Sequence, residues 1–178
     1  PQYPRGIQEG NGVPADGDLW VSYSVNKEDM WISRIPVPVE INASAHADDD
    51  FSKNKSIAEL TDWNIYSPVW APVSLEGEWL KLQDKDPFDY AKVERKIPAS
   101  KELKVSFDLK AGQNNKGTLQ IEFLDENGIA CSRLELTQDG VFRAKGGSRF
   151  ANMMKYEAGK TYHVEAVLST ADRNIQVY

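Results

Sequence analysis

Several short segments of this chain alternate apolar and polar side chains with a period of two. Residues 104–110 place Val105, Phe107 and Leu109 on one face and polar side chains on the other. Residues 118–124 and 161–168 repeat the pattern. Because successive side chains of a β-strand point to opposite faces, this period predicts half-buried strands.

Tight-turn signals separate the alternating segments. Asn127-Gly128 joins two of them, and Asp139-Gly140 joins the next pair. Asn-Gly between apolar runs is the strongest short hairpin signal. Strands broken by turns at roughly 8 to 12-residue intervals indicate an antiparallel sandwich or barrel. We therefore predict an all-β fold, with a β-sandwich domain over residues 62–178.

The earlier part of the chain has a different pattern. Residues 1–40 predict one β-hairpin, with strands over 19–24 and 30–35 and a glycine-rich loop over 5–12. Residues 41–61 are small and acidic and predict a linker, with a single helical turn over 56–60. The last segment, 173–178, reads as a strand without a turn after it. Since the chain also begins with Pro1, we expect it to be a piece of a larger protein.

Composition excludes several classes of function. The formal net charge is -6, which disfavours nucleic acid as a partner. No apolar run approaches the ~20 residues of a membrane span. One cysteine and two histidines provide neither a disulfide framework nor a metal centre, and we predict no metal and no cofactor. Cys131, within a predicted strand, is expected to be a buried, inert thiol.

Polar side chains concentrate at two places near the start of the chain. A dense set of hydrogen-bonding groups on a loop beside a strand pair is typical of a polar ligand site, with solvated loop charges as the alternative. Arg5 is a candidate to hold a carboxylate, Tyr23 with Glu9 a candidate nucleophile pair, and Glu28 a candidate acid. The candidate ligand-binding residues beside them are Gln8, Asn11, Asn26 and Lys27.

Aromatic residues cluster at the start of the predicted sandwich, at Trp63, Tyr66, Trp70 and Trp79. Exposed aromatic rings stack on the apolar faces of sugars, whereas buried ones fill a core or an interface. Both interpretations remain open here. Trp70 and Trp79 are the candidates for a stacking platform.

Two segments carry a family resemblance: RGIQEGNG at residues 5–12 and DGDLWVSYSVNKEDMWISRIPVP at residues 16–38. They resemble the end of the propeller in sialidase-like, BNR/Asp-box-type proteins of Bacteroides-type gut bacteria. The segment from Trp63 onward is similar, at the level of fold, to the sandwich that follows such propellers. One departure is that Asp16 and Gly17 are adjacent and Trp20 is one position too close, so the chain lacks a proper Asp-box.

The resemblance implies an antiparallel jelly-roll sandwich of the concanavalin A/laminin-G kind, preceded by a β-hairpin from a propeller blade. It implies a secreted, periplasmic or cell-surface parent that hydrolyses glycosides, with an oligosaccharide and the remainder of the propeller as partners. The isolated chain is then a C-terminal fragment without turnover. Two alternatives stay open: a non-catalytic glycan-binding module, and a purely structural sandwich.

Overall fold

The computed structural model describes residues 5–10, 17–25, 29–35 and 46–178. The regular structure of these residues is antiparallel β-sheet, apart from 3₁₀ turns at Phe51–Lys53 and Ile57–Glu59. The second turn lies where one helical turn is predicted. None of the helical segments in the described ranges has the length and hydrophobicity to cross a membrane. The chain divides into two compact units, Pro1–Pro98 and Ala99–Tyr178. The predicted domain boundaries at residues 40 and 61 remain predictions.

The first unit begins with a three-stranded sheet rather than a two-stranded hairpin. Its strands are β1 (Arg5–Gln8), β2 (Leu19–Val25) and β3 (Asp29–Ile35), with β2 in the middle. The predicted loop is therefore wrong for Arg5–Gln8. Pairing with the free edge of β2 provides these residues with backbone partners, and such tertiary pairing overrides the weak strand propensity of a glycine-containing segment.

The rest of the first unit consists of two small antiparallel pairs. One joins β4 (Trp63–Tyr66) to β7 (Lys92–Arg95). The other joins β5 (Val73–Glu76) to β6 (Trp79–Leu82) through a tight turn at Gly77, whose φ of 61° is one that a β-carbon disfavours. Described side chains of this unit that are buried are Leu60, Ala71 and Val73.

The second unit is a sandwich of two antiparallel sheets. The four-stranded sheet has the order β12-β11-β10-β9, and the three-stranded sheet has the order β14-β13-β8. The strands are β8 (Glu102–Lys110), β9 (Leu119–Leu124), β10 (Ala130–Leu136), β11 (Val141–Gly146), β12 (Arg149–Lys155), β13 (Thr161–Ser169) and β14 (Asn174–Val177).

One apolar core lies between these two sheets. The four-stranded sheet contributes Leu134, Leu136 and Phe142, and the three-stranded sheet contributes Val164. Partly buried side chains from both sheets, among them Phe107 and Ile121, pack around this core. The alternation predicted for β8, β9 and β13 is confirmed, since apolar positions face inward and polar positions face outward. The predicted β-sandwich is confirmed with it.

Both turns predicted from sequence are present. Gly128 N–H donates to the carbonyl of Asp125, with a φ of 77° at the glycine, and the turn connects β9 to β10. Gly140 has a φ of 71° and connects β10 to β11. The positive φ explains the requirement for glycine at both sites.

The predicted burial of Cys131 is wrong, because the residue is exposed. The ladder between β10 and β9 shifts register between Ala130 and Ser132, which leaves Cys131 as the extra residue of a β-bulge. Its thiol donates to the carbonyl oxygen of Phe123 at 3.0 Å. Periodicity gives no indication of such a shift.

Candidate functional site

The predicted pair of Tyr23 and Glu9 is not brought together. Trp20 Nε1 donates to Glu9 Oε1 at 2.7 Å, whereas the Tyr23 hydroxyl is 3.0 Å from Ser33 Oγ. Trp20 and Tyr23 point to opposite faces of β2, because they are three residues apart on one strand. Glu9 and Tyr23 therefore lie on opposite faces of the sheet and cannot act as one nucleophile unit.

The other predicted polar candidates are divided in the same way. Arg5 is exposed and stands opposite Ser22 in the register of β1 and β2, while Gln8 stands opposite Leu19. These positions place Arg5 and Gln8 on different faces. Outside the described residues lie Asn11, Asn26, Lys27 and Glu28.

The face of this sheet that holds Arg5 and Glu9 is also apolar and exposed. Ile7, Met30 and Ile32 are each largely exposed, and Trp20 is partly exposed. Arg34 lies 5.9 Å from the Trp20 ring centroid and forms an ion pair with Asp18. The alternation of side chains in the sequence predicted two faces for this sheet, but it did not indicate which face is more exposed.

A second set of exposed apolar side chains includes Trp70, which is 67% exposed. It is formed by the last residue of β4, the segment that follows β4 and the segment that precedes β7. We call this group the aromatic patch. Its members, all exposed, are Tyr66, Val69, Trp70, Phe88 and Tyr90.

Hydrogen bonds and a ring contact hold the two segments of the aromatic patch together. The N–H of Lys85 donates to the carbonyl of Trp70 at 2.9 Å. The rings of Tyr66 and Tyr90 lie 5.8 Å apart at a tilt of 57°, a favourable aromatic geometry. The Tyr66 hydroxyl donates to Asp89 Oδ2 at 2.8 Å. These contacts connect the two segments that carry the patch.

One of the two segments that carry the aromatic patch is rich in carboxylates. The segment 83–91 contains three aspartates and one lysine. Asp86 Oδ1 accepts a hydrogen bond from the backbone N–H of Phe88 at 2.9 Å, and this bond holds the loop at Phe88. The hydrogen bond to Asp89, with burial and negative charge adding to it, raises the pKa of Tyr66 above its ordinary value. The Tyr66 hydroxyl therefore stays protonated at neutral pH.

The other predicted tryptophan, Trp79, has a different setting. It is half-buried and lines an open depression of about 460 Å³ with Ser52, Glu76, Gly77 and Glu78. Trp79 pairs with Glu76 at the turn of the β5–β6 hairpin, whereas Trp70 lies beside Lys85 at the other end. Trp70 lies three residues before the first residue of β5, whereas Trp79 stands opposite Glu76, the last residue of β5. The two tryptophans do not form one platform.

Trp70 was a candidate from the sequence, whereas Phe88, Tyr90 and Val69 were not. Phe88 is 96% exposed, between proline and aspartate in a loop. An aromatic residue in such a polar, turn-forming segment is the signal that identifies it, because a loop offers no strand face on which to bury the ring. Trp63, by contrast, is half-buried, with its ring 5.7 Å from that of Phe51.

Comparison with known proteins gives two matches. A family model described as "Sialidase-like, CBM domain" matches residues 63–178. A solved structure titled "Sialidase" is 93% identical in sequence and superimposes with a TM-score of 0.82. The alignment covers 99% of this chain and 16% of that chain, so the present chain spans about a sixth of the sialidase's length. None of the curated proteins matches it.

Proposed function

Since the chain belongs to the family of sialidase-like carbohydrate-binding-module domains, we propose that it binds neutral oligosaccharides through the aromatic patch. The observation that supports this site is the exposure of Trp70 among four other exposed apolar side chains. Groups of exposed apolar side chains mark interaction surfaces more often than isolated ones do. The patch also lies within the residues that match the family.

The chemistry of a sugar fits this surface. A pyranose ring presents C–H groups on its faces and hydroxyls at its edge. The rings of Trp70 and Phe88 offer flat apolar area for those faces. The carboxylates of Asp84 and Asp86 offer acceptors for the hydroxyls, in the charge-assisted bonds that are stronger than neutral ones.

The sign of the charge restricts the sugar. Three aspartates and one lysine in segment 83–91 make the rim of the patch negative. An anionic sugar placed there meets like charges, which is unfavourable at a distance shorter than the ~10 Å screening length. We infer that the aromatic patch selects uncharged oligosaccharides.

Replacing Trp70 tests the proposal. We expect Trp70→Ala to weaken binding of a neutral hexasaccharide at least tenfold, because the largest stacking surface is lost. Isothermal titration with β-1,4-galactohexaose, cellohexaose and chitohexaose measures the affinities. Trp31→Ala is the matched control, since Trp31 is 55% exposed but lies on β3, outside the family match.

Other outcomes assign the surface differently. Loss of binding in Trp79→Ala with an unchanged Trp70→Ala moves the site to the depression at the β5–β6 turn. Absence of binding in the unmodified chain favours the structural alternative, in which the aromatic patch packs against protein. The apolar character of the patch is the observation that supports that alternative.

We further propose that the chain serves a longer sialidase-like glycoside hydrolase, located in the periplasm, at the cell surface or outside the cell. The supporting observation is the 93% identity to a sialidase six times its length. In this proposal the exposed face of Ile7, Trp20, Met30 and Ile32 packs against the remainder of a propeller. The isolated chain is then a binding unit without turnover.

The catalytic candidates are tested in the longer protein. If residues near the start of this chain form one rim of the hydrolase site, Arg5→Ala or Glu28→Ala lowers kcat/KM for a glycoside substrate at least tenfold. Glu9 and Tyr23 lie on opposite faces of the sheet, so a fall of kcat/KM in only one of Glu9→Gln and Tyr23→Phe shows which face takes part. Unchanged rates in all four variants remove this segment from the catalytic site.

A further inference from the structure

The β11–β12 hairpin concentrates positive charge in a chain whose net charge is -6. Residues 141–155 contain Arg143, Lys145, Arg149 and Lys155 and no acidic residue. The strands of this hairpin lie at one edge of the four-stranded sheet, with β12 outermost. None of these basic residues belongs to the aromatic patch.

Three of the four basic side chains share the face that points away from the core. Phe142 and Ala144 pack on the core, so their neighbours Arg143 and Lys145 point to the opposite side. The register places Lys145 beside Phe150, Arg143 beside Asn152, and Val141 beside Lys155. We call this group the basic face; its members are Arg143, Lys145, Phe150, Asn152 and Lys155.

An aromatic ring organises the basic face. The Arg143 guanidinium carbon lies 4.0 Å from the Phe150 ring centroid, and Lys145 Nζ lies 5.4 Å from it. Both distances fall within the range of cation–π attraction. Phe150 is 44% exposed, so part of its ring remains available to a ligand.

The adjoining strands neutralise the arginines but not the lysines. Glu135 accepts from Arg143 Nε at 2.8 Å and from Arg133 Nη1 at 3.3 Å, and Arg133 also pairs with Glu122. The negative charges of the two glutamates thus balance the positive charges of the two arginines. Among the described residues, neither Lys145 nor Lys155 has an ion pair, and they leave two positive charges on this face.

We propose that the basic face is a second glycan-binding surface, which takes oligosaccharides carrying carboxylate or sulfate groups. The two lysines attract the anionic groups, the exposed part of Phe150 stacks on a sugar ring, and Asn152 donates to and accepts from hydroxyls. The basic face thereby differs in charge preference from the aromatic patch. This inference stands on residues outside the aromatic patch and does not depend on neutral-sugar binding.

Titrations of the full chain with three hexasaccharides test this inference. The probes are hexagalacturonate for carboxylates, a sulfated β-1,4-galactan hexasaccharide for sulfates, and β-1,4-galactohexaose as the uncharged comparator. We expect the Lys145→Gln/Lys155→Gln variant to lose at least tenfold in affinity for whichever anionic probes bind. We also expect at least a threefold loss between 50 and 200 mM NaCl, as exposed charges require.

The control removes the same charge elsewhere. Lys101→Gln/Lys116→Gln alters two exposed lysines outside the β11–β12 hairpin and is expected to change affinity less than twofold. Phe150→Leu keeps apolar volume but removes the ring, and we expect a threefold or greater loss; circular dichroism verifies that each variant is folded. Absence of binding to both anionic probes, equal loss in both double variants, or equal affinity for charged and uncharged probes overturns the proposal. So does loss of anionic binding in Trp70→Ala.

Discussion

Leu134→Ala is expected to lower the free energy of unfolding by about 3 kcal/mol, within the ~2–5 kcal/mol typical of large-to-small core substitutions. Leu134 is 0% exposed and belongs to the core between the two sheets of the second unit. Its removal loses apolar burial and leaves a cavity that β-sheets on both sides cannot readily collapse to fill. Urea unfolding monitored by far-ultraviolet circular dichroism measures the change.

The matched control is Leu124→Ala, the same chemical change at the end of β9. Leu124 is 39% exposed, so we expect a loss below about 1 kcal/mol. If both variants lower the free energy of unfolding by the same amount, Leu134 does not lie in the core of the sandwich.

Glu135→Gln is expected to lower the free energy of unfolding by about 2 kcal/mol at pH 7, since hydrogen bonds to charged groups each contribute about 1.5–3 kcal/mol. The Glu135 side chain is only 4% exposed and holds both Arg133 and Arg143. The side chains of these arginines are 26% and 33% exposed, so water can still solvate them when the carboxylate charge is removed. This solvation limits the loss of stability. Glu122→Gln, at a more exposed carboxylate of the same ladder, provides the comparison.

The same variant changes the pH dependence of stability. Burial by itself raises the pKa of Glu135, but Arg143 and Arg133 outweigh it and hold the pKa below its ordinary value of 4.5. A lowered folded-state pKa contributes stability above the unfolded-state value, and this is lost as the pH falls through the folded-state value. The difference between wild type and Glu135→Gln should therefore shrink below about pH 4.5. A difference that is constant from pH 7 to pH 3 contradicts the assignment.

The strands with one buried face were predictable from sequence. In β8, inward Phe107 and Leu109 alternate with outward polar residues, and burial follows that order. Asn127-Gly128 fixed the β9–β10 turn, because glycine accepts the positive φ that the turn needs. In these segments, local conformation and burial favour the same structure.

Strands without a buried face were not predictable. Every residue of β12 (Arg149–Lys155) is exposed, so its sequence has no period of two. β1 (Arg5–Gln8) pairs along an edge in spite of its glycine. Both strands depend on hydrogen bonds to a neighbour, which side-chain patterns do not encode.

The exposed aromatic residues of the candidate site were predictable in part. Trp70 followed from the concentration of aromatic residues, but the separation of Trp70 from Trp79 depends on their positions along one hairpin. The burial of Glu135 on an outward face also escaped prediction. It requires arginines from its own strand and from the neighbouring one, a proximity that only the sheet register establishes.

The central proposal, that a neutral glycan binds at the aromatic patch, is tested most directly by ¹⁹F NMR of the full chain labelled with 5-fluorotryptophan. The five tryptophans give five resonances, each assigned by a Trp→Phe variant. On titration with β-1,4-galactohexaose, cellohexaose or chitohexaose, we expect the Trp70 resonance to shift saturably while those of Trp20 and Trp31 stay in place. A Trp70 resonance that does not respond to any of the three sugars contradicts the proposal.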